Sequence, residues 1–204
     1  MLLSSTDPRK NSLVQSADVY FYLLLNADSA WPLWSIRLFT WIGDWLPKAL
    51  MVLPALLALA LPAWRRTLWL AVCCLAITWL MVRVFRTWLP MPRPDALNLG
   101  MQWLPQGARP GFPSMHAAGS FGVAVVMLMS RGGPLAWAYL LAAALISASR
   151  VVLGLHFPLD IVVGALLGSL VAVGVVGAAN RAVLAGRVHS LRRLRAARGR
   201  GTRG

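Results

Sequence analysis

Charge is what this chain has least of. Only 13% of its 204 residues are charged against 58% hydrophobic, and its mean hydropathy is +0.65. A soluble domain carries roughly 25% charged residues, so a soluble fold is excluded. Cysteine is confined to the neighbours Cys73 and Cys74 inside an apolar run. Adjacent cysteines rarely bridge, so no disulfide framework and no spaced zinc pattern is present, and both are expected to be small buried apolar residues. Histidine occurs only at His116, His156 and His189. A zinc site needs three or four protein ligands, and His189 stands apart in a basic tail as a solvated residue. No metal and no cofactor is expected. The polar first dozen residues contain no short apolar stretch ahead of a small-residue cleavage site, so the first span is expected to serve as the targeting signal. No internal repeat is visible.

What is present is a series of apolar runs near the ~20 residues that cross a bilayer. They cover 45–64, 67–85, 114–130, 135–153 and 159–179, the third being short. Pro54 and Pro62 allow a kink or an early end in the first, and Arg65-Arg66 closes it. A proline-rich polar loop occupies 86–113. Residues 14–44 mix apolar residues with Asp18, Asn26, Asp28, Arg37, Asp44 and the indoles of Trp31, Trp34 and Trp41. That mix predicts a helix or helix pair at the membrane interface, or the start of a tilted span. The expected fold is all-α: a polytopic membrane helical bundle of five to six transmembrane helices with an interfacial N-terminal helical region. Residues 1–13 read as a loose polar terminus, 14–180 as the membrane-embedded domain and 181–204 as a basic tail. Gly164 and Gly168 share a helix face suited to close packing, within the bundle rather than between copies. The oligomeric state is not legible.

Alternating the spans sorts the charge. One side receives the N-terminus, the 86–113 loop, the 154–158 loop and all six acidic residues. The other receives Arg65, Arg66, Arg131 and the tail arginines, with no acid. The positive-inside rule then predicts a cytoplasmic C-terminus and an opposite, external face; in a bacterium this is the inner membrane with a periplasmic site. The tail (Arg187, Arg192, Arg193, Arg195, Arg198, Arg200, Arg203) is expected to meet anionic lipid rather than nucleic acid, at ~1 kcal/mol per charge.

Three polar clusters stand where spans end on that external side. They are Arg86 with Arg93-Pro94, then Pro113-Ser114-Met115-His116, then Ser149-Arg150 with His156 and Asp160. Ionisable groups near a bilayer mark function by default. Guanidinium groups match phosphate oxygens with paired hydrogen bonds and keep their proton, so Arg86, Arg93 and Arg150 are candidate phosphate ligands. Arginines brought to one spot repel unless an anion lies between them. Ser114 opens a helix whose first-turn N–H groups favour anions, and it can cap that helix, donate to phosphate, or both. His116 is a candidate general acid for the departing oxygen. Asp160, four residues beyond His156, can hold one ring nitrogen and leave the other nucleophilic. Met115, Arg109 and Ser149 are further candidate substrate contacts.

In order and spacing, Arg86-x6-Arg93-Pro94, Pro113-Ser114-Met115-His116 and Ser149-Arg150-x5-His156-x3-Asp160 resemble the three-part signature of the type-2 phosphatidic acid phosphatase family. The resemblance covers about residues 14 to 180. It implies a helical bundle and metal-independent hydrolysis through a phosphohistidine. His156 would be nucleophile, Asp160 its partner and His116 the acid, with Arg86, Arg93, Arg150 and Ser114 holding the phosphate. Two positions depart from the family pattern: Arg86 stands where Lys is common, and Met115 where a small residue, often Gly, is usual. The apolar spans exclude the soluble acid phosphatases and haloperoxidases of the same superfamily. The expected substrate is a membrane lipid phosphate. The short chain and external face resemble the undecaprenyl diphosphate phosphatases of the family. A lipid A phosphatase, a phosphatidylglycerophosphate phosphatase and a lipid phosphotransferase remain open, as does a non-catalytic lipid-binding scaffold.

Overall fold

The computed structural model describes residues 8–107 and 109–201, with side chains described for 16–107 and 109–187. The tail side chains beyond Arg187, His189 included, lie outside the described residues, as does the extreme N-terminus. The described residues are helical, without strands. In chain order the helices are α1 (Pro8–Leu25), α2 (Leu33–Ala60), α3 (Arg65–Trp88), α4 (Met115–Ser130), α5 (Gly133–Val152) and α6 (Pro158–Gly201). Four stretches are long and apolar enough to cross a membrane: Leu33–Ala60, Pro62–Trp88, Gly133–Val152 and Pro158–Arg187.

α4 is the shortest of the central helices and the hub. Its 16 residues include buried Ala117, Ala118, Gly119, Ser120, Gly122, Val123 and Ala124, small enough for neighbours to approach closely. It packs on α6, α5 and α3. The closest approach is at Gly168 of α6, where a Cβ would strike the Ala118 carbonyl. A Cβ on Gly164 would lie 2.6 Å from the Ser114 carbonyl oxygen. The Gly164/Gly168 face therefore packs within the bundle, as its spacing predicts. At ~1.5 Å per residue α4 is about 24 Å long, short of the ~30 Å hydrocarbon core.

The outer faces of α2, α3 and α6 carry exposed Leu59, Trp69, Trp79 and Leu170, as lipid-facing helices require. Cys74 is buried, but Cys73 is exposed, because adjacent helical residues point about 100° apart. That corrects the expectation that both are buried.

The helix boundaries differ from the sequence reading in three places. α1 already begins at Pro8, a residue suited to a first helical turn. It lies across the site end of the bundle: Asp18 Oδ1 accepts from the Leu159 N–H at 2.8 Å, and Tyr22 stacks edge-on against Phe157 at 5.2 Å. The helix expected to start at Trp45 starts at Leu33 and runs unbroken through Pro47 and Pro54. Its first turns pack Ile36 and Phe39 against Val152, Leu153 and Leu155, and this contact holds the helix together beyond the apolar run. α6 continues well past residue 179 as one 44-residue helix.

Candidate active site

The third cluster forms where α5 gives way to α6. The Arg150 carbonyl accepts from the Leu155 N–H at 2.8 Å and the His156 N–H at 3.3 Å, which folds the loop back on the helix end. Gly154 makes the turn at φ +79°, a conformation that favours glycine. His156 Nδ1 lies 3.0 Å from Asp160 Oδ2, which also accepts from the Phe157 N–H at 3.1 Å. Both side chains are buried, at 3% and 4% exposure. With Asp160 ionised, Nδ1 carries the proton and Nε2 keeps its lone pair. Burial pushes the His156 imidazole below its ordinary value of 6.5. The hydrogen bond and charge of Asp160 oppose that shift, and Arg93 and Arg86 add to it. The ring is thus held neutral, the form a nucleophile needs. Gly111 lets the first cluster close on this pair: a Cβ there would stand 2.8 Å from Arg93 Cγ and 3.4 Å from Asp160 Oδ2.

The arginines arrive from three elements. Arg86, in the last turn of α3, donates from Nη2 to the Pro113 carbonyl at 3.1 Å. Arg93, in the following loop, donates from Nη1 to Gln106 Oε1 at 2.8 Å and to the Leu155 carbonyl at 3.2 Å. Its Nε donates to the Arg109 carbonyl at 3.0 Å. Arg150, in the last turn of α5, donates from Nη2 to the Gly43 carbonyl and lies 3.7 Å from Asp44 Oδ1. Among the described residues, Arg86 Nε, Arg150 Nε and Ser114 Oγ are buried polar atoms without a hydrogen-bond partner. Ser114 is the N-cap residue of α4, yet its side chain makes no capping bond; its backbone N–H donates to the Asp160 carbonyl at 3.0 Å. Buried donors are almost always satisfied, so unpaired ones beside guanidinium groups leave hydrogen-bonding capacity that an anion could use.

A polar cavity of about 320 Å³ joins the clusters. Arg86, Arg93, Arg150, His156, His116, Met115 and Arg109 all line it. His116, in the first turn of α4, is exposed in it, and so is the Arg109 side chain. Ser149 does not line the cavity: it is fully buried and its Oγ donates to the Ile146 carbonyl at 2.7 Å. A second cavity, apolar and about 180 Å³, lies between α2, α3 and α4 against Pro47, Leu50, Met51, Leu75 and Val123. Met115 and His116 line both cavities, so the two meet there.

Several contributing residues escape a reading of the sequence. Gln106 holds Arg93 and donates from Nε2 to the Gly154 carbonyl at 2.9 Å. Asn26 ties α1 to the site loops, accepting from the Met101 N–H at 2.6 Å and donating to the Val152 carbonyl at 3.1 Å. Gly43 and Asp44 meet Arg150 across more than a hundred residues. The only signal for Asn26 and Asp44 was polarity in an apolar stretch, and nothing singled out Gln106 or Gly43.

A profile of the family described as "PAP2 superfamily" matches residues 66–183, more than half of the chain. The chain belongs to the PAP2 superfamily. Among curated relatives, "Putative undecaprenyl-diphosphatase YbjG" of Escherichia coli is 29% identical over 163 residues, covering 78% of this chain and 80% of that protein. Undecaprenyl-diphosphatase BcrC of Bacillus subtilis is 31% identical over 86 residues, 42% of each chain. Lipid A 4'-phosphatase of Bacteroides thetaiotaomicron is 46% identical over 59 residues, 28% of this chain and 26% of that one. The crystal structure of LpxE from Aquifex aeolicus superposes with a TM-score of 0.66 at 26% identity, covering 78% of this chain and 94% of the other. A transmembrane PAP2-type phosphatidylglycerolphosphate phosphatase from Bacillus subtilis gives a TM-score of 0.66 at 22% identity, with 83% and 87% covered, a likeness of fold. The PAP2 bundle here is thus that of a multi-pass membrane protein, and the matched segment contains all three clusters.

Proposed function

We propose that this protein is a metal-independent phosphatase of membrane lipid phosphates and diphosphates working through a phosphohistidine, with undecaprenyl diphosphate its favoured substrate. One observation carries the chemistry: His156, fixed by Asp160 through Nδ1, shares a cavity with His116 and with arginines from three elements. Arg86, Arg93, Arg150 and Ser114 bind the phosphoryl oxygens. His156 Nε2 attacks phosphorus while the bond to the leaving oxygen breaks. His116 passes a proton to that oxygen as the general acid. Water, deprotonated by the now neutral His116, then cleaves the P–N bond and releases inorganic phosphate, which restores both histidines. Arginine charge offsets the charge on the phosphoryl oxygens, in bound substrate and transition state alike. The leaving group departs on the His116 side, and there the apolar cavity begins, which supports a leaving group carrying hydrocarbon.

Undecaprenyl diphosphate is favoured by the two relatives whose names carry that activity, one of them matching most of both chains. Lipid A phosphate is the second reading, favoured by the 46% identity of a short segment to a lipid A 4'-phosphatase. The charge asymmetry supports a bacterial inner-membrane location, an external site, a cytoplasmic C-terminus and a tail lying on anionic lipid. The test is phosphate release by detergent-purified protein, in chelator, from isoprenyl diphosphate, lipid A phosphate and phosphatidylglycerophosphate. Wild type is expected to turn over isoprenyl diphosphate fastest, and His156→Ala to release nothing above background. Equal slow release by both proteins contradicts the reading. Phosphate appearing on an added acceptor lipid instead of in water identifies a transferase.

A further inference from the structure

Proline has no N–H, so inside a helix it leaves the carbonyl four residues earlier without its intrahelical donor. In α2, Pro47 does this to Gly43. The freed Gly43 carbonyl accepts Arg150 Nη2, a bond made across 107 residues from a different helix. Gly43 is also the position with no side chain to spare: a Cβ there would lie 2.8 Å from Arg150 Cζ and 2.9 Å from Ser149 Oγ. The next residue, Asp44, brings its carboxylate to 3.7 Å from Arg150. One turn of α2 thus supplies a freed acceptor, room for a guanidinium and a counter-charge. Arg150 is 4% exposed, and a guanidinium so buried needs its donors met. Anchored at Nη2, it keeps Nε unpartnered and its side chain lining the polar cavity.

We propose that Gly43, Asp44 and Pro47 are positioning residues that hold Arg150 in its phosphate-binding orientation. This rests on the phosphatase reading and deepens it. Pro47 acts through the acceptor that it frees, Gly43 through the side chain that it lacks, and Asp44 through charge. The half-exposed carboxylate of Asp44 is the weakest of the three, because solvent screens it. Arg150 meets the phosphate in bound substrate and in transition state alike, so loosening it removes uniform binding and acts on KM.

The experiment is steady-state hydrolysis of farnesyl diphosphate by the full-length protein in detergent. Pro47→Ala restores an N–H that claims the Gly43 carbonyl. It is expected to raise KM about tenfold, the scale of one hydrogen bond to a charged group, with kcat within about twofold. Gly43→Ala is expected to raise KM at least as much, and it carries the test if Pro47→Ala does not fold. Pro54→Ala, in the same helix but away from Arg150, is expected to leave KM unchanged. In an Arg150→Ala background Pro47→Ala should add nothing, an outcome that a merely structural role of the proline does not produce. An unchanged KM in both Pro47→Ala and Gly43→Ala overturns the proposal, as does a Pro47→Ala effect that persists without Arg150. Those failures leave an active phosphatase; a wild type that releases no phosphate sinks both readings.

Discussion

Both ends of this bundle are rich in arginine, and they use it differently. At the end away from the site, Arg131 donates from Nε to Thr67 Oγ1 at 3.1 Å and from Nη2 to the Ala63 carbonyl, with its guanidinium 4.1 Å from the Trp64 ring. Arg66 donates to Asn180 Oδ1 at 2.6 Å. These contacts tie α3, α4 and α6 together near the surface. At the site end, Arg86 and Arg150 are anchored by one nitrogen each to a carbonyl, while their buried Nε atoms have no partner among the described residues. Arginine density alone therefore does not mark a site. What distinguishes the active end is donors held in place and left unspent, beside a histidine whose one nitrogen is committed and whose other is free.

The sharpest way to break this comparison is to remove the nucleophile. His156→Ala is expected to lower kcat by at least about 10⁴-fold, on the scale seen when a covalent-catalysis residue is lost, while circular dichroism and thermal unfolding in detergent stay close to wild type. Next is Arg150→Ala at one end against Arg131→Ala at the other. The first is expected to cost about 10²–10³-fold in kcat/KM, carried by KM, the scale of truncating one partner of a buried charge pair. The second is expected to leave kcat/KM unchanged and to lower stability by about 1 kcal/mol, read from thermal unfolding. Equal losses of activity from the two would erase the distinction.

The pH dependence sharpens it further. His156 must be neutral to attack, and burial holds its pKa below 6.5, so the acid limb of kcat/KM is expected below pH 6.5. Asp160 pulls that pKa upward, so Asp160→Asn is expected to move the limb to still lower pH while reducing the rate. A limb that moves up contradicts the assigned pairing. The smallest effect is expected at Met115, which lines both cavities. Met115→Gly is expected to change the ratio of two-chain to single-chain lipid phosphate turnover about tenfold, the scale of a few methylenes in an apolar pocket, with little change on a soluble phosphate ester.

The residues that gather around the polar cavity were more legible in the sequence than the helix boundaries. Arg86, Arg93, Ser114, His116, Arg150, His156 and Asp160 stood out because polar groups near a bilayer are costly, and their spacing follows from their places at helix ends. Gly164 and Gly168 disclosed a close helix contact inside the bundle, though not that its partner is α4, because close packing needs small residues at helical spacing. The start of α2 was hidden, since Arg37 and Asp44 interrupt the apolar pattern while the helix is held by Ile36 and Phe39 packing on the site loop. The anchor of Arg150 was hidden for another reason. It is a backbone carbonyl, which has no residue type, and it is freed by a proline that the sequence shows only as a helix breaker. Ser149, beside Arg150 in the motif, spends its hydroxyl inside its own helix.

The most direct test of the account is a phosphoenzyme trap. Protein mixed with substrate labelled in the terminal phosphate and quenched in alkali, where phosphohistidine survives, is expected to retain label on the peptide containing His156. His156→Ala is expected to retain none. Label on another residue, or full turnover by His156→Ala, would contradict the assignment of His156 as the nucleophile.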